Sequence, residues 1–207
     1  MTDYRGLIFD DTRESASDHA LAQLEATLGA RLPDDYRQFL KTCNGATVEY
    51  DVLATMSNGD KELLSFLLYG LDPSEQYESN PFELEQLRKQ PGFPATGLLP
   101  IGRDGGASVL LLDLREGRQD VGAMVAGLPA WTGRRQQGDE YVVLADSFNA
   151  YLDLLHVSQE RIAEHINHFV ISDDTIDATL TWLDQSSPGW RERYRDLWNA
   201  RVVDRPI

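Results

Sequence analysis

The chain has 207 residues, 42% hydrophobic and 26% charged, which is the balance of a soluble globular protein and excludes a disordered or low-complexity one. Its 34 acids against 19 bases give a net charge of −15, a surface that repels phosphate backbones and anionic membranes and favours basic protein partners, though acidity alone also serves solubility. A single cysteine, Cys43, excludes an intramolecular disulfide and a cysteine-based zinc site, and no apolar run approaches bilayer length, so a cytoplasmic location is expected.

Met1–Arg13 is polar apart from the short run Leu7, Ile8 and Phe9, and no export signal is expected. Ser17–Leu28 reads as a helix: Ser17 or Asp18 can cap it, Leu21, Leu24 and Leu28 share a face, and Gly29 can close it. Pro33 suits a first helical position, with Asp34 and Asp35 at the positive end of the dipole. Tyr36, Phe39, Leu40 and Cys43 then recur at helical spacing, and Asn44-Gly45 reads as a turn. Val48–Leu53 and Leu63–Leu71 are strand candidates joined by the turn Ser57-Asn58-Gly59-Asp60.

A third helix is expected from Asn80 or Ser79 with Phe82, Leu84 and Leu87 as its apolar set, ending at Pro91-Gly92. Leu98–Ile101, Ser108–Leu114, Asp120–Ala126 and Tyr141–Leu144 read as four further strands. A loop at Gly127–Asp139 carries Trp131, and Asp146 or Ser147 can cap a helix with Phe148, Tyr151, Leu152 and Leu155. From Ser158 the strand-like runs stop and three helices follow, Arg161–Phe169, Thr175–Leu183 and Trp190–Trp198. The expected organisation is a domain over 1–157 and a helical extension over 158–207 packed on its core, since about fifty residues make a thin core alone.

The stretch from Leu32-Pro33 through Tyr36, Phe39 and Leu40 to Asn44-Gly45 resembles the signature of the SUKH superfamily (Smi/Knr-like domain). Leu99-Pro100-Ile101-Gly102-Arg103-Asp104-Gly105-Gly106 followed by Val109–Leu114 is similar to the family's second motif, and Ala145–Phe148 into Tyr151-Leu152 to its closing helix. The resemblance implies an α+β fold, a mainly antiparallel sheet of about six strands with helices packed on it. It assigns Leu32, Pro33, Tyr36, Phe39, Leu40, Asn44, Gly45, Pro100, Gly102, Gly105 and Gly106 to the architecture of that fold. It also implies a binding role. Family members include immunity proteins that neutralise bacterial toxins, often nucleases, and regulators of fungal cell-wall synthesis.

Little in the sequence points to catalysis. His165 and His168 stand three apart on an expected helix, but the pattern His-Glu-x-x-His is absent and no metal or cofactor is expected. Cys43 falls on an apolar helix face, and Gly102–Gly106 precedes a strand, not the helix a phosphate cradle needs. Acids cluster instead between Gly45 and Gln90, with nine against three bases. The expected partner-binding residues are Glu49, Asp51, Asp72, Glu75, Tyr77, Glu78, Glu83 and Glu85, with Trp131 as an exposed aromatic contact. The expected partner is a cognate toxin, itself basic; the alternative is an intracellular adaptor with an endogenous partner.

Overall fold

The computed structural model describes residues 2–71, 97–128, 131 and 138–207. The chain forms two compact units, Met1–Leu155 and His156–Ile207.

The first unit opens with a hairpin that the sequence pattern leaves unassigned, β1 (Thr2–Tyr4) against β2 (Leu7–Phe9). Arg5 (φ 58°) and Gly6 (φ 77°) are both left-handed, the backbone that a two-residue hairpin turn requires. Helix α1 (Asp18–Leu28) starts where the Ser17 hydroxyl accepts the Ala20 amide and ends on Gly29 at φ 64°. In α2 (Asp34–Thr42) Pro33 is the N-cap and not the first helical residue. Its carbonyl accepts the Arg37 amide at 2.9 Å, so the missing N–H is again one that the helix does not need.

The expected hairpin forms as β3 (Val52–Thr55) and β4 (Lys61–Leu64), with Leu53 opposite Leu63. The apolar run Leu63–Leu71 is not one strand, however. It breaks where the Ser65 hydroxyl donates to the Tyr50 carbonyl at 3.0 Å, and Leu67–Leu68 (β5) joins a different sheet. Val48 and Tyr50 are buried outside any strand, and the Tyr50 hydroxyl accepts the Ile8 amide at 3.0 Å.

The main sheet has the order β5, β6 (Leu98–Arg103), β7 (Val109–Asp113), β8 (Val121–Val125), β9 (Glu140–Ala145), with every neighbour antiparallel. Pro100 lies in the inner strand β6, which an N–H-less residue tolerates only at an irregularity, and the register shifts between Pro100 and Gly102. Helix α3 (Phe148–Leu154) follows, capped by Ser147, whose hydroxyl accepts the Ala150 amide. Rings from β2, α2 and α3 meet in one aromatic cluster: Phe9 to Phe39 at 5.7 Å, Tyr36 to Phe148 at 5.0 Å and Phe39 to Phe148 at 5.1 Å. The chain is therefore α+β with a mainly antiparallel sheet and a helical C-terminal part.

The second unit comprises α4 (Gln159–His168), α5 (Asp173–Ser186) and α6 (Trp190–Arg201). Ser158 caps α4, and Ser172 forms a capping box with Thr175 at the start of α5. Ile162, Ile166, Leu183, Trp190 and Trp198 make its core. The two indoles sit 5.1 Å apart, and each N–H is satisfied: Trp190 donates to Asp184 at 2.8 Å and Trp198 to the Arg205 carbonyl at 2.9 Å. Among the described residues no helix is long and apolar enough to cross a membrane.

Candidate binding surface

The residues from Leu32 to Ala46 build a junction. Leu32, Tyr36, Phe39, Leu40 and Cys43 are buried. The Glu25 carboxylate accepts the Leu32 amide at 2.8 Å and the Arg37 guanidinium at 2.7 Å, fastening α1 to the start of α2. Asn44, 4% exposed, adopts φ 46° and uses both ends of its amide. Its nitrogen donates to the Glu14 carbonyl at 2.8 Å and its oxygen accepts the Leu71 amide at 2.9 Å. Gly45 (φ 93°) brings its backbone against Gly70, so close that a Cβ would stand 2.6 Å from the Gly70 nitrogen. Ala46 then pairs with Leu68 beside β5. These side chains are committed to capping, packing and turning.

The glycine-rich turn after β6 is organised in the same way. The Asp104 carboxylate accepts the Gly106 amide at 2.8 Å and the Ser108 amide at 3.0 Å, so the donors that a phosphate would need are already taken. Gly102 lets β5 come close, since a Cβ there would lie 2.5 Å from the Leu67 carbonyl oxygen. Gly105 meets nothing within 4 Å, and the fold places no such demand on it.

At the other end of β7, Asp113 is fully buried and grips Arg115 through bonds of 2.5–3.1 Å. Burial alone would raise its pKa, but the Arg115 hydrogen bonds outweigh burial and hold the carboxyl below the usual carboxylate range. The sequence reading missed this pair; an acid closing an apolar strand with arginines two and five residues on is the signal that could have found it.

Of the expected partner-binding residues, Asp72, Glu75, Tyr77, Glu78, Glu83 and Glu85 lie outside the described residues, as does the expected third helix. Trp131 is 86% exposed. Glu49 is half-buried, and both Glu49 and Asp51 make interactions within the fold. Asp51 corrects the expectation: it lies just before β3, between the buried Tyr50 and Val52, and is 4% exposed.

The residues weighed for chemistry are engaged elsewhere. His165 lies between the rings of Phe169 and Trp182, and its Nε2 is 3.0 Å from the Thr179 hydroxyl, while His168 is exposed on the same helix. Burial pushes the Cys43 thiol up to about 11, the opposite of what a nucleophile needs. Among the described residues no group of three or more His, Cys, Asp or Glu could hold a metal ion.

The model of the SMI1 / KNR4 family (SUKH-1) matches residues 15–154, and the chain belongs to that family. No curated protein matches the chain. The match ends one residue before the first unit does, so the helical unit lies outside it.

Proposed function

We propose that the chain is a binding protein of the immunity type, one that holds a cognate secreted bacterial toxin in a stoichiometric complex and neutralises it without catalysing a reaction. The observation that carries this reading is the acidity of the chain, net −15. Residues 1–157 hold 25 acids and 13 bases, a net −12, against 9 and 6, a net −3, over 158–207. The two parts are acidic nearly in proportion to their lengths, and the part that belongs to the family is itself strongly acidic. Toxins that act on nucleic acid are basic because they must hold phosphates, and an acidic inhibitor competes for that charge while steering the encounter.

The proposed contact surface runs from Glu49 through Asp72, Glu75, Tyr77, Glu78, Glu83 and Glu85, with Trp131 as its aromatic anchor. Asp51, 4% exposed, is left out of that surface. The test is co-expression with the toxins encoded beside the gene, scored by survival and by a one-to-one complex on gel filtration. Rescue with a complex supports the reading. Absence of both with every neighbouring toxin, together with capture of an endogenous partner from cells lacking a toxin locus, replaces it with the adaptor reading.

A further inference from the structure

The helical unit carries an open cleft of about 440 Å3 that the toxin surface proposed above does not use. Its lining is mainly polar but includes Val170 and Val202, which are buried, and Ile176, which is half-buried. It is also lined by Ile171 and Val203, 72% and 76% exposed, and Phe169, two positions before Ile171, is 60% exposed. Single exposed apolar residues need no explanation, but two lining one cleft, with a third close by in sequence, mark a surface that gains by being covered.

The charges on the rim say what covers it. In a chain of net charge −15, two copies brought together over most of their surface set acid against acid. Here the rim holds Asp173 and Asp204 with Arg201 and Arg205, two of each sign. Arg205 is held by Asp177 at 2.6 Å, whereas Arg201 and Asp204 form no ion pair among the described residues. Such a rim can face itself across a two-fold axis, where a contact from one copy is repeated by the other. We infer that this cleft is a self-association surface. Ile171 and Val203 of each copy cover the cleft of the other, and Arg201 of one copy faces Asp204 of its partner.

The experiment is light scattering on gel filtration with the full chain over a range of concentrations, and it needs no toxin, so it stands apart from the function proposed above. The expected result is twice the chain mass. Val203→Asp and Ile171→Asp are expected to give monomers with unchanged circular dichroism. Arg201→Glu should weaken the dimer about tenfold or more, and adding Asp204→Arg should restore it. The exposed charge pair keeps the test decisive if an apolar variant unfolds. A chain monomeric at every concentration, or a charge swap that fails to restore what Arg201→Glu removes, overturns the inference.

Discussion

The Asp35 carboxylate reaches across the fold to the start of another helix: its Oδ2 accepts the Asn149 amide at 2.9 Å, 114 residues away, while its Oδ1 accepts the amide of Tyr36 at 2.8 Å. One side chain thus serves its own helix, α2, and the second residue of α3, and it ties the first family motif to the last. Asp35→Ala removes both bonds and should cost about 1–2 kcal/mol in urea unfolding. Asp35→Asn keeps one acceptor and should lose less. Equal losses for the two variants would show that the second contact contributes nothing.

The junction at Asn44-Gly45 should be the least tolerant place in the first unit. Asn44→Ala leaves the Leu71 amide and the Glu14 carbonyl without these partners and puts alanine, which tolerates the left-handed region less well than asparagine, at φ 46°, a cost of about 2–3 kcal/mol. Asn44→Gly accepts the backbone and should recover part of that. Gly45→Ala meets both φ 93° and the Gly70 backbone, and should do more damage than Gly105→Ala, which meets open space. Thermal melts of the three glycine and asparagine variants beside Gly105→Ala give the ranking directly.

Acid should loosen the fold through Asp113. Its folded pKa is depressed, so its contribution is fully present above the unfolded value of about 3.9 and is lost as pH falls through the lower folded value. Asp18, Glu25 and Asp184 are shifted in the same direction by their arginine and lysine partners. The urea midpoint is therefore expected to stay level near neutral pH and to decline from about pH 4 downward. Asp113→Asn should be less stable at neutral pH and should show a shallower decline. An identical pH profile for that variant would remove Asp113 from the explanation.

Charge reversal separates the proposed contact acids from the buried Asp51. Asp72→Lys, Glu75→Lys and Glu78→Lys together should slow association with a basic toxin by about tenfold or more and flatten its salt dependence, with the melting temperature little changed. Asp51→Lys should instead read out as lost stability, because the residue is 4% exposed. Stopped-flow association at two ionic strengths, with a melt of each variant, distinguishes the two effects.

The elements that local chemistry controls were legible in the sequence. Ser17 with Gly29, Ser147, and the turn at residues 57–60 each mark their own element within a few residues, and the structure places those elements accordingly. Features that depend on distant partners were not. The division of the run 63–71 into β4 and β5 depends on Tyr50, and the second role of Asp35 depends on Asn149. The first hairpin was missed because its strands are three residues each, too short to show a period. Of the candidate surface, the exposure of Trp131 followed from its glycine-rich surroundings. The burial of Asp51 did not, since it lies just before β3 between the buried Tyr50 and Val52, a setting that the acid itself does not announce.

Cys43 has a practical consequence. It is the only thiol in the chain, it is fully buried, and its raised pKa leaves it almost wholly protonated at neutral pH. A thiol reagent can therefore react only when the first unit opens, and the rate of labelling counts those openings. Three of the four tryptophans, Trp182, Trp190 and Trp198, belong to the helical unit, so their fluorescence follows that unit instead. Without any engineered label, the wild-type chain offers one chemical clock and one optical signal, each assigned mainly to a different half, with which to ask whether the two halves come apart together.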